Sequence, residues 1–396
     1  MSGDQRWRRA RRLLVWVGAC IAVLVLVFYV GGGWYFSGLI DDRALDGQAR
    51  REALGPAYDL EVVAVGDGTL TLRVPEDPGS VTKQGVFGLR WSDGYGRLGT
   101  IREVTGGRVE REFELLEGLP PRRGTAAQLL SRVFQGDPSA VGVPFEDVQV
   151  DGDLGEYPAW YIPGGGKTWV VVVHGNSMTR EDGIRILPTL AGEGYPVLVI
   201  SYRNDPEAPE DPSGKLRYGA TEWRDVEAAI WYARGEGARD VILFGYSMGG
   251  GIVASLLERS PMADDVRGAI LEAPMLDFGR TVDLNASGEE LPMIGLPLPS
   301  SLTAVAKWMA SLRYGIDWDE LDYLATADEL DVPILLIHGQ EDEDVPIQTS
   351  EELAEARPDL VTFVPVPEAA HMEAWNVDPQ AYERAVVSFL TAVGDA

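Results

Sequence analysis

The architecture of this 396-residue chain is indicated most clearly by residues 241–249, Val241-Ile242-Leu243-Phe244-Gly245-Tyr246-Ser247-Met248-Gly249. An apolar strand candidate runs into a serine flanked by glycines, and an apolar helical pattern, Met248–Arg259, follows at once. Glycine suits the flanking positions because side chains there would collide with the neighbouring strand and helix. The turn lifts the serine oxygen to the start of a helix, where free N–H groups favour negative charge. This pattern predicts a nucleophile elbow with Ser247 as the nucleophile.

The same alternation of strand and helix extends from about Phe145 to the carboxyl terminus. Eight segments are predicted to be strands: Glu146–Val150, Tyr157–Ile162, Thr168–Val173, Val197–Ser201, Val241–Phe244, Gly268–Glu272, Ile334–Ile337 and Val361–Val366. Several are apolar without alternation, which is typical of strands covered by helices on both faces. The first two lie close together around Gly152 and Gly155, which indicates an antiparallel hairpin. The sequence therefore predicts an α/β fold with an eight-stranded, mostly parallel sheet and helices on both faces.

A serine hydroxyl needs a base, and the chain has only three histidines. His174 and His338 each end an apolar strand and precede a glycine, which favours a role in forming the turn. His371 lies in the loop after the last strand. It alone satisfies the chain order of nucleophile, acid and histidine that belongs to this kind of elbow. His371 is therefore the predicted general base.

The acid is expected in the loop after Ile334–Ile337, where residues 338–346 read His-Gly-Gln-Glu-Asp-Glu-Asp-Val-Pro. This segment resembles the H-G-x-x-D-x-x-V-P signature of α/β-hydrolases. The resemblance is closest to the lysophospholipase, monoacylglycerol-lipase and serine-aminopeptidase-like branch. It implies that Asp342 orients His371 and stabilises the imidazolium, with Asp344 as the alternative.

The resemblance covers the chain from about Phe145 onward and assigns His174-Gly175-Asn176-Ser177 to an oxyanion loop. It implies that the backbone N–H of Asn176, or alternatively of Ser177, joins that of Met248 in holding the oxyanion. The usual glycine before the catalytic histidine is replaced here by Ala369-Ala370. Residues 178–181 match no substrate-specific pattern, so the resemblance leaves the substrate open.

A stretch from about residue 274 to residue 330 is not needed by the sheet and is predicted to be a cap. It contains Leu291-Pro292-Met293-Ile294-Gly295-Leu296-Pro297-Leu298-Pro299, followed by a helical pattern over Ser301–Leu312. The hydrolase fold places its cap after the sixth strand, and caps line acyl pockets. An apolar cap favours esters or thioesters with a hydrophobic acyl group, although a plain crossover connection is the alternative.

The amino terminus carries five arginines, at positions 6, 8, 9, 11 and 12, before the apolar run Leu13–Val30. As a helix this run would span roughly 27 Å, about one hydrocarbon core. Residues 34–36, Trp-Tyr-Phe, follow where an interfacial aromatic belt would lie. We predict an uncleaved transmembrane anchor with a cytoplasmic amino terminus and an extracytoplasmic catalytic domain. A cleaved signal peptide and a lipoprotein box ending at Cys20 are the alternatives.

Short β-like runs separated by glycine-rich and proline-rich turns lie between Pro56 and Leu119. They predict a small β-rich module without histidine or cysteine, interpreted as a spacer or platform in preference to a ligand-binding unit. The predicted organisation is residues 1–40 as tail and anchor, 41–144 as linker and β-rich module, and 145–396 as the hydrolase domain.

Composition excludes several other classes. The formal net charge of −28 disfavours nucleic-acid binding, because an acidic surface repels phosphate backbones. The single cysteine, Cys20, excludes an intramolecular disulfide and a zinc site built from cysteines. No cofactor or metal is predicted, and the oligomeric state is left open.

Taken together, these patterns predict a membrane-anchored serine hydrolase that cleaves a small-molecule or lipid-like carboxylic ester, or a thioester, through an acyl-enzyme. A peptidase of the proline-iminopeptidase type is one alternative. It would need carboxylates near the cap to bind a free amine, and Glu289-Glu290 is the only suggestive pair. A catalytically silent hydrolase-fold binding module is another alternative. Such modules typically lose a triad member, whereas this chain retains all three.

Overall fold

The structure is a computed structural model, and it describes residues 3–46, 58–76, 78–292 and 294–394. Most of the predicted linker, residues 47–57, lies outside the described residues, as does Met293 of the predicted cap.

The apolar segments of the carboxyl-terminal part pair into one eight-stranded mixed sheet, as predicted. Its strands are β7 (Glu146–Asp151), β8 (Glu156–Ile162), β9 (Thr168–Val173), β10 (Val197–Ile200), β11 (Asp240–Tyr246), β12 (Val266–Glu272), β13 (Ile334–Gly339) and β14 (Val361–Val366). The order across the sheet is β14-β13-β12-β11-β9-β10-β8-β7. Strand β8 is antiparallel to both β7 and β10, and the other neighbours are parallel. The predicted hairpin is thus β7–β8.

Helices cover both faces of this sheet. They are α2 (Leu187–Gly192), α3 (Trp223–Gly235), α4 (Met248–Arg259), α5 (Phe278–Ser287), α6 (Ser300–Tyr314), α7 (Ile347–Ala356), α8 (Ala374–Val377) and α9 (Pro379–Gly394). Alternate residues of β9 enter different cores: Val171 and Val173 face one, and Val170 and Val172 face the other. This two-sided burial explains why the strand is apolar without alternation. Helices α5 and α6 follow the sixth strand of the sheet, where the cap was predicted.

The β-rich module is a closed barrel of six strands. These are β1 (Leu60–Val65), β2 (Thr69–Arg73), β3 (Phe87–Trp91), β4 (Gly94–Thr105), β5 (Arg108–Gly118) and β6 (Ala126–Leu130), in the order β1-β2-β5-β4-β3-β6. The barrel extends beyond Leu119, where the β-like runs of the sequence end, because β6 closes it by pairing with both β1 and β3. This short strand, Ala-Ala-Gln-Leu-Leu, lacks the β-branched and aromatic residues that would have marked it in the sequence.

The amino-terminal helix α1 (Gly3–Ile40) contains an apolar window whose mean hydropathy is 2.8 and which is wholly outside the protein core. It is long and apolar enough to cross a membrane, a property that a signal sequence shares. Its last turns pack on cap helix α6, where Phe36 joins Leu302 and Ala306 in a buried cluster. The packing is close: a Cβ at Gly33 would lie 2.7 Å from Val305 Cγ1. The end of this helix is therefore part of the folded protein.

Candidate active site

Ser247 occupies the turn between β11 and α4 with φ 51°, ψ −117°, a strained conformation for a residue with a side chain. Its N–H donates to the carbonyl of Glu272 at 2.9 Å. A Cβ at Gly249 would lie 2.3 Å from the carbonyl oxygen of Val173, and one at Gly245 would lie 2.7 Å from that of Gly249. Both flanking positions therefore require glycine for the steric reason expected from the sequence.

The structure brings together the three residues of the predicted triad. His371 Nε2 lies 2.9 Å from Ser247 Oγ, and His371 Nδ1 lies 2.7 Å from Asp342 Oδ2. The serine is thus one hydrogen bond from a base, and the base is oriented by a carboxylate. Asp344, the alternative acid, lies elsewhere in the cleft and donates its backbone N–H to Asp342 Oδ1 at 2.9 Å.

Asp342 is held as a carboxylate by several partners. The backbone N–H of Val345 donates to Oδ1 at 2.8 Å, and His338 Nε2 lies 3.1 Å from Oδ2. Burial alone would raise the pKa of this carboxyl, but the hydrogen bonds to His338 and His371 outweigh burial and hold the pKa below its usual range. The sequence interpretation gave His338 only a turn-forming role. Its four-residue spacing from Asp342 was the signal for this contact.

The pKa of His371 is shifted in the opposite direction, upward. Burial lowers the pKa of its imidazole, but the hydrogen bond and negative charge of Asp342 raise it above its ordinary value of 6.5. The imidazole side chain is 19% exposed, so it reaches the cleft while its acid partner is buried. The arrangement suits a base that accepts a proton from the serine and holds it as an imidazolium.

The two predicted oxyanion donors lie in the same cleft as Ser247. Met248 begins α4, so its N–H has no intrahelical acceptor. The loop that carries Asn176 passes directly against Ser247, since a Cβ at Gly175 would lie 2.9 Å from Ser247 Cβ. The Asn176 side chain donates to Tyr218 Oη at 2.7 Å. Ser177, the alternative donor, also lines the cleft. Their roles remain a prediction.

His174, at the start of this loop, is held inside the protein by contacts with other residues. The imidazole is buried, its Nε2 lies 2.7 Å from Asp205 Oδ2, and its ring stacks on Tyr202 with centroids 4.3 Å apart. The structural role inferred for His174 agrees with these contacts, which keep it away from the nucleophile.

A buried ionic network supports the triad. Arg185 Nη2 donates to Glu272 Oε2 at 2.7 Å, and Tyr382 Oη donates to the same oxygen at 2.6 Å. Arg185 Nη1 donates to the carbonyl of Met372, the residue after His371, at 2.9 Å. The backbone carbonyl of Glu272 also accepts a hydrogen bond from the N–H of Ser247. The network therefore links the elbow to the histidine loop.

The cleft above Ser247 has a volume of about 430 Å³, and the barrel forms one of its walls. The lining includes Arg90 of β3, Leu130 at the end of β6, and residues 131 and 132, which follow it. The barrel also holds the histidine loop: Ser80 Oγ donates to Glu373 Oε1 at 2.6 Å, and Asn376 Nδ2 donates to the carbonyl of Val86 at 2.7 Å. The module therefore packs on the hydrolase domain, as the platform interpretation expects. Its contribution to the cleft could not be predicted, since short polar turns in a sequence do not reveal which surface they will contact.

Within the described ranges, no group of three or more His, Cys, Asp or Glu side chains is arranged to hold a metal ion. Charged side chains at the edge of the cleft form ion pairs. Arg132 donates to Asp182 and Glu181, which ties the segment after the barrel to the loop that follows the oxyanion residues.

Comparisons with known proteins agree with this architecture. The Pyrococcus furiosus esterase Pf2001 superposes with a TM-score of 0.52 at 20% identity, covering 66% of this chain and 98% of the esterase. The uncharacterized protein YqkD of Bacillus subtilis is 23% identical over 231 residues, which is 57% of this chain and 72% of that protein. The uncharacterized protein Rv2307c of Mycobacterium tuberculosis is 25% identical over 240 residues, 59% of this chain and 74% of that protein.

The model of the alpha/beta hydrolase family matches residues 170–385, more than half of the chain. This range contains Ser247, Asp342, His371 and the predicted oxyanion loop, residues 174–177. The branch suggested by the sequence resemblance stays a prediction. By fold and by this match, the chain belongs to the alpha/beta hydrolase family.

Proposed function

We propose that this protein is a serine hydrolase that cleaves carboxylic esters, including lipid esters or thioesters, through an acyl-enzyme. The observation that carries the proposal is the hydrogen-bonded chain from Ser247 through His371 to Asp342 in a strained elbow. The solved esterase of similar fold supports the choice of ester substrates.

The mechanism follows from the geometry. Ser247 Oγ attacks the ester carbonyl while His371 Nε2 accepts its proton, and Asp342 stabilises the resulting imidazolium. The N–H groups of Met248 and Asn176 hold the oxyanion, which is where negative charge develops. His371 then protonates the departing alkoxide. Water, deprotonated by His371, attacks the acyl-enzyme and releases the acid and the free serine.

Two observations weigh against the alternative functions. A peptidase that binds a free amine would need unpaired carboxylates near the cap, and of the suggested pair Glu289-Glu290 the first is already engaged by Arg43. A silent binding module would have no need for a complete triad with its acid held ionised.

The test is labelling with a fluorophosphonate probe, together with hydrolysis of p-nitrophenyl acetate. We expect both with the full-length chain and neither with Ser247→Ala. Ser287→Ala, at the exposed end of α5, serves as the matched control and should behave as the parent. Labelling that persists in Ser247→Ala, or its absence from the parent, would overturn the assignment.

We further propose that α1 stays attached as the membrane anchor, with the arginines cytoplasmic and the hydrolase on the outer side. The arginine-rich segment before the apolar run supports this orientation. The packing of the last turns of α1 against α6 supports retention of the helix. In a Cys20→Ala background, Ser287→Cys should react with a membrane-impermeant maleimide in intact cells. Reaction only after cell lysis would contradict the orientation.

A further inference from the structure

An apolar pocket lies beside the catalytic cleft, between the end of α1 and the cap helices. Its volume is about 160 Å³. Phe36, Leu39 and Ile40 of α1 form one wall, and Val282 and Ala286 of α5 belong to the opposite side. The membrane helix thus contributes side chains to a cavity of the hydrolase domain.

The pocket and the catalytic cleft share three lining residues, Tyr218, Thr281 and Asn285. Because these residues line both cavities, the cavities are neighbours, and these side chains are what a ligand whose carbonyl is at Ser247 would pass to enter the pocket. The pocket is therefore placed to receive the part of a substrate on one side of the scissile bond.

The pocket also lies next to the end of the proposed membrane-spanning part of α1. Trp34 and Tyr35 are 60% and 50% exposed, as expected of side chains at a membrane interface. Phe36, the first residue of the pocket wall, follows directly in the chain. An apolar chain leaving the bilayer along α1 would therefore meet the pocket at the level of the lipid head groups.

We propose that this pocket binds the acyl chain of an ester drawn from the membrane leaflet in which α1 ends. Helix α1 then acts as a wall of the substrate site as well as an anchor. The inference rests on the proposed function, because it states where the acyl group of the ester that Ser247 attacks is bound.

The size of the pocket sets the acyl length. An apolar cavity of about 150 Å³ can bind benzene, a ligand of six carbons, so a pocket of about 160 Å³ has room for about six carbons. The expected optimum is an acyl chain of about six carbons. Up to that length, each buried methylene should raise kcat/KM by up to about fourfold.

The experiment uses the full-length chain in lipid nanodiscs and p-nitrophenyl esters from acetate to decanoate. We expect kcat/KM to rise with chain length and to level off near hexanoate. Ala286→Phe, which fills the pocket, should lower the hexanoate-to-acetate ratio of kcat/KM at least tenfold. Ile40→Ala, which enlarges it, should move the optimum to longer chains. Ala304→Phe, on the exposed face of α6, is the matched control and should leave the profile as in the parent.

A second arm tests the source of the chain. A hexanoyl ester of a long-chain alcohol, which partitions into the bilayer, should be hydrolysed by the protein in nanodiscs. No hydrolysis of this ester would overturn the membrane source. An unchanged length profile in both pocket variants would overturn the pocket assignment. Either failure is distinguishable from failure of the proposed function, which would abolish fluorophosphonate labelling and acetate hydrolysis altogether.

Discussion

The buried pair Arg185–Glu272 makes the sharpest stability prediction. The two side chains are 7% and 1% exposed, and Nη2 and Oε2 are 2.7 Å apart. Arg185→Met removes the only cation of the pair and leaves the Glu272 carboxylate buried without its ionic partner. Breaking a buried pair in this way typically costs about 3–5 kcal/mol, because the desolvation penalty of the remaining charge is no longer offset.

That loss of stability should be measurable as a lower Tm. At about 2–4 °C per kcal/mol for a domain of this size, Tm should fall by about 6–20 °C. Activity should also fall at temperatures well below Tm, because Arg185 holds the carbonyl of Met372 beside the catalytic histidine. The double variant Arg185→Met/Glu272→Gln has no buried charge left at this place, and its glutamine still accepts from Tyr382. It should regain at least half of the lost Tm.

The assay is thermal unfolding followed by tryptophan fluorescence, with p-nitrophenyl acetate hydrolysis measured at 25 °C for each variant. Arg267→Met, a partly exposed arginine on β12, is the control for a simple loss of positive charge. If Arg185→Met unfolds within 2 °C of the parent, or if the double variant is no more stable than the single one, the reasoning about the buried charge is refuted.

Three further predictions concern the triad and the barrel. Asp342→Asn should lower kcat/KM for p-nitrophenyl acetate by about 10⁴-fold while the protein stays folded by circular dichroism, because the asparagine cannot stabilise the imidazolium. Since His371 must be neutral to act as base and its pKa is raised, kcat/KM should fall as pH drops through a midpoint above 6.5; a midpoint below 6.5 would contradict the role of Asp342. Ser80→Ala removes a hydrogen bond to the Glu373 carboxylate and should cost about 1.5–3 kcal/mol by thermal unfolding, against no change for Ser287→Ala.

Local patterns in the sequence were sufficient for the hydrolase sheet and the elbow. Strand β9 is buried on both faces, so its apolar run identified it without any knowledge of its neighbours. The steric demand at Gly249 is likewise local, because a strand, a turn and a helix meet there. Chain order alone then sufficed to select His371 among three histidines.

Contacts between distant segments could not be read in this way. Arg185 lies in the apolar context Gly-Ile-Arg-Ile. No neighbouring residue in the sequence indicates that its partner is Glu272, 87 positions away. The fit of Gly33 against α6 likewise depends on a helix that begins only at Ser300. Periodicity reports which face of an element is apolar, but it does not say which surface that face will meet.

The central claim is that Ser247 forms an acyl-enzyme, and trapping that intermediate tests it most directly. The full-length protein would be mixed with excess p-nitrophenyl acetate, quenched in acid within milliseconds, and examined by intact-mass and peptide mass spectrometry. An acyl-enzyme at Ser247 should give a burst of one p-nitrophenolate per chain and an acetyl group on the peptide that contains Ser247. An acetyl group on another residue, or turnover of the ester without any acetylated Ser247 and with no burst, would contradict it.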